Sequence, residues 1–542
     1  MRNGRVSTIL VMCSFAWGGC ALVYQYDGYE PSGTGGAGAN GGQGQGGIAG
    51  EGPGSGGNGG EAAGGVGGQG GGECHVDYAE VCDLPCTPSE CLSTQWAKRM
   101  GTAGDEQAAR SVAVAENGDI VVAGTYTKAS FPFGAHPLPA DTGSLEGFIG
   151  ILDATGDSKW SQKLSAQLTS DPPRAALSVA TTPTSIFLAG YLYPQGAPEQ
   201  DALVIRYDRN NLNAMGAMSH SIGGAGLDEA VAVSADGTNG YVVGRASAMG
   251  VKPPFNCSGM VVDLVDGMFV MKLNAFGGCE WFNMYPGADV RPAAISATQA
   301  DTQGIWFTGT FRGSLSLGGP PLEGNQEYDS MFLVKIDPNG GLVASFEYGG
   351  TVAGARVSAN ALDVSPAGAV YVAGMLSGST EIAPLRDPES AAFVAEFAAD
   401  GTAPKWSMLY EGGNPLGNQG ARATGVVIDD TDLFLAGVFS GTMQYPSGKG
   451  SASLDETAGA TPFVARIDRI NQKTLAIDPF PGGGESFATA NVHMAKNPQA
   501  GGVVLAGGWR YTLDFSTPGM PAVLEAPPSN TNSDIFIVKL AP

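Results

Sequence analysis

The sequence predicts an all-β fold, a seven-bladed β-propeller of four-stranded blades over residues 95–542, with its first and last strands pairing to close the ring. Three observations predict it. A run of apolar residues ending in glycine occurs seven times at a nearly constant interval. A second strand-like run follows each one. No segment between them has the 3.6-residue periodicity of a helix.

In chain order, residues 1–19 read as an export signal. Arg2 and Arg5 precede an apolar stretch from Val6 to Trp17. Such a stretch is too short to span a bilayer, which takes about 20 apolar residues, but suits a signal-peptide core. It ends in Trp17-Gly18-Gly19-Cys20. This is similar to a bacterial lipobox, in which small residues precede a cysteine that is acylated, although Trp17 stands where leucine is usual. Six cysteines follow Cys20 and can pair completely, so an unmodified Cys20 would be an odd thiol outside the cell. Lipidation of Cys20 is the expectation, with simple cleavage and secretion as the alternative. The address is then an exported one, an outer-membrane or cell-surface lipoprotein.

Residues 20–73 read as a disordered tether. Within 33–72, 23 of 40 positions are glycine. Such a composition cannot bury enough apolar surface to offset its ordering entropy. As a flexible coil it would span about 35 Å. Residues 74–94 hold Cys74, Cys82, Cys86 and Cys91 in a spacing without the paired knuckles of a zinc site. Two disulfides are expected there, in any of three connectivities.

The ring follows. The glycine-ending runs are IVVAG to Gly124, IFLAG to Gly190, GYVVG to Gly244, IWFTG to Gly309, VYVAG to Gly374, LFLAG to Gly437 and VVLAG to Gly507. Successive glycines lie 66, 54, 65, 65, 63 and 70 residues apart. The second runs are GFIGILD, DALVIRYD, GMFVMKLN, SMFLVKID, AAFVAEFA, TPFVARID and SDIFIVKL. Both sets are rich in β-branched and aromatic residues and bounded by turn formers, as strands are. A strand of small residues precedes each glycine run, and an aromatic-bearing strand follows the second run, as at Trp160, Trp281, Phe346 and Trp406. Small side chains suit crowding at an axis, and large ones the wider rim. The last unit stops after its third strand, so QWAKRM (95–100) is expected to supply the fourth and put Trp96 beside residues 534–540. Cys257 and Cys279 are expected to pair and staple the long loop 247–266 to the outer strand.

These motifs resemble the secreted bacterial β-propeller repeats known as SBBP, with VYVAG at 370–374 close to the family pattern. The resemblance spans 95–540 and weakens at 201–220 and 475–494. It implies a propeller and export, and no catalytic residue.

A net charge of −24 argues against nucleic-acid binding, which needs clustered cations. No HExxH, GxSxG or phosphate-loop pattern occurs, no cofactor or metal is implied, and Asp429, Asp430 and Asp432 read as turn residues. Long second-to-third connections, at 127–145, 247–266, 312–328, 439–460 and 509–532, are expected as irregular loops on one face, where a site would lie. Arg110, Arg174, Arg291, Arg356 and Arg422 precede inner strands on that face. They either ring one mouth as a binding site for anionic glycan or protein, or tie down their own turns through Asp105, Glu106 or Asp289. The leading reading is a non-catalytic binding or scaffold module, with membrane contact through the N-terminal lipid. The alternative is a propeller-type glycan hydrolase or lyase.

Overall fold

The computed structural model describes residues 92–541, apart from short segments of which 165–173 and 482–490 are the longest. The expectations for Cys20, the leader, the tether and Cys74, Cys82, Cys86 and Cys91 lie outside the described residues.

The fold is all-β and propeller-like. In the first unit, Gln107–Val114, Ile120–Thr127, Leu145–Leu152 and Ser158–Lys163 form an antiparallel meander, from inner to outer strand. One eight-stranded sheet, with inner strands Arg356–Val364 and Ala421–Asp429, and four further four-stranded sheets, with inner strands Arg174–Thr181, Glu229–Asp236, Asp289–Ser296 and, last in the chain, Val492–Lys496, follow. In the last, Asp534–Ala541 pairs with Ser93–Met100, which sets Trp96 opposite Lys539. The first and last described strands therefore share one sheet, as the missing fourth strand required.

The repeated glycine has a steric cause. In six units the inner strand carries a bulge opposite it, for example between Ala359 and Ala361 facing Gly374 and Ala373. An inner-strand carbonyl then occupies the space a Cβ would fill, from Ala108 at Gly124 to Asn491 at Gly507. On its other side the glycine pairs with the aromatic residue of the third strand: Gly124 with Phe148, Gly244 with Phe269, Gly309 with Phe332, Gly374 with Phe393, Gly437 with Phe463 and Gly507 with Phe536. The ring covers the bare backbone. In the second unit Leu203 takes that place, opposite Gly190.

The third-strand signature ends in Asp or Asn because that residue caps the following turn. Asp153, Asp208, Asn274, Asp337 and Asp468 each accept a hydrogen bond from the backbone N–H two residues on, at 2.7–3.0 Å.

Alternate residues of the central strands face opposite sides, so each sheet is greasy on both faces. Val122 packs against residues of the last unit, while Val121 and Ala123 pack against the second unit. Buried clusters of this kind fill the seams between successive units, the last and first included. Side chains also latch neighbours together. Trp96 Nε1 donates to Ala154 O at 3.1 Å, and Trp281 Nε1 to Pro338 O at 3.0 Å. His220 Nε2 lies 2.7 Å from Gly277 O, and Tyr348 donates to Gly401 O. On the inner strands, Ser111, Ser178 and Ser234 accept the backbone N–H of Val179, Val233 and Ala297, which lie in or just after the inner strand of the next unit. The outer aromatics thus do more than fill the rim, since their polar atoms hold adjacent units in register.

The long connections differ from expectation. Where irregular loops were expected, four of the five connections carry paired strands and 127–145 a single bridge. Phe255–Cys257 pairs with Met260–Val262, Ser314–Leu315 with Leu322–Glu323, and Thr512–Asp514 with Val523–Glu525. Phe131 bridges Leu138. In the sixth unit the strands Asp432–Ser447 and Gly450–Asp468 run on as a long hairpin, whose extension pairs with Glu411–Gly413 of the fifth unit and merges the two sheets. Pairing satisfies backbone groups that an irregular loop would leave to water. Cys257 and Cys279 form the expected disulfide, tying the Phe255–Val262 ribbon to the outer strand Cys279–Pro286.

Candidate functional site

The antiparallel order puts the second-to-third connections and the starts of the inner strands at one end of the units. There the ribbons are anchored by buried residues: Phe131 and Phe133, Phe255 and Cys257, Leu315 and Leu317, Met443 and Leu454, Leu513 and Phe515. Their tips reach outward, with Met260 56%, Val261 65% and Val523 47% exposed.

The carbonyl against each repeated glycine gives a register common to the inner strands. It belongs to Ala108, Ala175, Glu229, Arg291, Ser358, Arg422 and Asn491. By that measure Arg291 and Arg422 are equivalent, Arg110 stands two residues further along, Arg174 one earlier and Arg356 two earlier. The arginines therefore do not form one ring of like positions.

Their surroundings differ as well. Arg174 is fully buried. Arg291 Nη2 lies 2.5 Å from Asp329, and its Nε 3.5 Å from Asp289, the neighbour expected to tie it down. Arg312 Nε reaches the same Asp329 at 2.6 Å. Arg422 donates to Asn491 Oδ1 at 3.3 Å, and burial lowers its pKa to about 10. Arg356 stacks over the Tyr328 ring at 5.4 Å. Arg110 fills the bulge of its strand and is felt by two groups nearby. Burial pushes Tyr191 up to about 12, against the pull of Arg110, and burial together with Arg110 pushes His493 down to about 3. His493 is thus a neutral imidazole at neutral pH.

Two carboxylates at the same end also interact. Burial, then the nearby Glu381, raise the pKa of Glu347, while Glu381 accepts the Gly349 N–H at 3.0 Å. Among the described residues no group of three His, Cys, Asp or Glu side chains is placed to hold a metal. Asp429 pairs with Lys496 at 3.0 Å and Asp432 with Arg466 at 2.5 Å, which accounts for two of the turn aspartates. Asp430 lies outside the described residues.

A polar constellation that the motifs did not reveal lies at the opposite, short-turn end. Asp119 gathers Lys159, Arg209 and Asn117 beside Trp160 in a cavity of about 550 Å³. The charged partners of Asp119 come from the strand Ser158–Lys163 and from the turn after Asp208, and no local spacing signals that meeting.

No protein-family model and no curated protein sequence matches the chain. Solved structures that resemble it include a protein of unknown function from Dyadobacter fermentans, at 12% identity and TM-score 0.37, covering 83% of this chain and 99% of that one. The quinohemoprotein alcohol dehydrogenase of Comamonas testosteroni gives 8% identity and TM-score 0.39, covering 84% and 78%. The endosialidase of phage phi92 gives 9% identity and TM-score 0.37, covering 82% and 68%.

Proposed function

We propose that residues 95–542 form a seven-bladed β-propeller that serves as a non-catalytic binding or scaffold module, displayed outside a bacterial cell on the Gly-rich tether and anchored by lipid on Cys20. A closed ring is supported by the seams, because an open row of sheets would leave its two end faces bare. Here the last and first units bury Val504, Ala506, Ile535 and Ile537 against Val122 and Phe148.

The observation that carries the binding reading is the set of ribbons at one end, rooted in buried aromatic and aliphatic side chains with apolar tips held outward. Rigidly rooted, exposed elements on an inert scaffold are a recognition surface. Arg110 and Arg356, the latter stacked over the Tyr328 ring, lie at the same end and would favour an anionic glycan or protein group. A glycan array probed with the full chain tests this. Binding of acidic glycans that falls in an Arg110→Ala/Arg356→Ala variant supports it, and unchanged binding removes the arginines from the site. Cys20→Ala should move the protein from the membrane to the soluble fraction, and retention on the membrane would refute lipid anchoring.

The Glu347–Glu381 pair favours a second reading, glycan hydrolysis, since a carboxyl whose pKa is raised by burial and a like neighbour is suited to general-acid work. Release of reducing sugar that disappears in Glu347→Gln would establish it over the binding-only reading.

A further inference from the structure

We propose that the cleft between the first and second units, at the short-turn end, is a binding site for a short neutral oligosaccharide. It is a separate surface from the ribbon end and does not depend on what binds there.

The cleft measures about 550 Å³, within the range of small-molecule sites, which run roughly 300–1,000 Å³. One wall is apolar, formed by the Trp160 indole with Ile151, Pro183 and Leu212. Trp160 is braced edge-on by Tyr207, with ring centroids 6.3 Å apart, so its face is held in place. The other wall is a fixed polar array. Asp119 accepts from Lys159 Nζ at 2.8 Å, from Arg209 Nη2 at 3.1 Å and from Asn117 Nδ2 at 2.8 Å, and Arg209 also donates to Asn117 Oδ1. Arg209 is further pinned by its backbone N–H to Thr184 O at 2.9 Å and by Nη1 to Thr182 O at 3.4 Å.

The charge balance selects the ligand class. Glu116 and Asp119 match Lys159 and Arg209 in number. Burial opposes ionisation of Asp119, but the hydrogen bonds from Lys159, Asn117 and Arg209 outweigh it and hold the carboxyl below its ordinary range. An anionic ligand would meet cations already committed to Asp119. A neutral one can use the donor capacity left over, because an ammonium carries three N–H groups and a guanidinium five. Asn210 and Asn211, both exposed, add amides that offer a donor and an acceptor each. An apolar lining that includes Trp160, for the C–H side of a sugar ring, beside a fence of amide and charged groups for its hydroxyls, fits a polyhydroxylated neutral molecule. The same fence fits phosphate or uronate poorly, and a purely apolar ligand would strand buried polar groups.

The test is calorimetric titration of the full chain with neutral cello-, malto-, chito- and manno-oligosaccharides, with oligogalacturonate as the anionic comparison. Binding of a neutral oligosaccharide is expected, unchanged between about 50 mM and 500 mM salt because no net charge is neutralised. It should weaken at least about tenfold in Asn210→Ala/Asn211→Ala, whose side chains are exposed and dispensable for folding. Trp160→Ala should weaken it further. If that variant unfolds, the amide variant decides alone. Arg110→Ala/Arg356→Ala at the other end should bind the neutral sugar as the parent does. Failure of every neutral oligosaccharide to bind, stronger and salt-sensitive uronate binding, or equal binding by the amide variant would each overturn the proposal.

Discussion

Two adjacent glycines in the last unit allow the steric account of the repeat to be tested without changing anything else. A Cβ on Gly507 would sit 2.5 Å from Asn491 O and 2.7 Å from the Phe536 ring, neither of which can retreat without moving a strand. A Cβ on Gly508 would meet nothing nearer than 3.6 Å, and that neighbour is Ala108 Cβ. Overpacking of a tight core costs about 1–3 kcal/mol. Glycine to alanine at a position whose backbone accepts it instead stabilises by about 0.4–1 kcal/mol, by restricting the unfolded chain. Gly507→Ala and Gly508→Ala should therefore differ by about 1.5–4 kcal/mol, with opposite signs. At an unfolding entropy of about 2.1 cal/mol/K per residue, a ring of this length separates the two melting temperatures by about 2–4 °C in calorimetry. Equal melting temperatures, or Gly508→Ala the less stable, would refute the reasoning.

Asp363 accepts the N–H of Ile428 at 2.9 Å across a seam and that of Val364 at 2.8 Å, yet burial raises its pKa to about 6. With the folded value above the unfolded one, ionisation subtracts stability as pH rises through about 6 and subtracts none below about 4. Asp363→Asn keeps one of the two acceptors and sets an amide NH2 where the other stood, a cost borne at every pH. Its stability relative to the parent in urea unfolding should therefore be about 1–3 kcal/mol better at pH 8 than at pH 4, and an equal difference at both would contradict the assignment. The Cys257–Cys279 disulfide spans 22 residues, for which loop-closure entropy gives about 3 kcal/mol. Cys257→Ser/Cys279→Ser should lose about that much in the same assay, and an unchanged midpoint would show that the ribbon is held by Phe255 and its neighbours alone.

The parts of the fold legible in the sequence are those set by short-range sterics. Gly374 announces itself because only glycine fits beneath a bulged carbonyl, and Asp337 because its carboxylate must cap the turn that follows. The closing role of Trp96 was legible from a missing strand. The arginines sit at different bulge registers, which offset along the chain does not report: Arg291 and Arg422 match, while Arg110 stands two positions on. The ribbons were missed because segments such as 441–456 are rich in Gly, Ser and Thr and read as loop, although a buried Met443 and Leu454 root them. Asp119, Lys159 and Arg209 are separated by 40 and 90 residues and meet only once two units pack, so their constellation leaves no local trace.

Closure of the ring by its two ends is the claim on which the rest stands, and a designed cross-link tests it directly. Ala97 and Val538 lie opposite each other in the shared sheet. In an Ala97→Cys/Val538→Cys variant, mild oxidation should yield a peptide in which residues 97 and 538 are disulfide-linked within one chain. Free thiols at both positions, or only links between chains, in a protein that retains its native circular dichroism would contradict it.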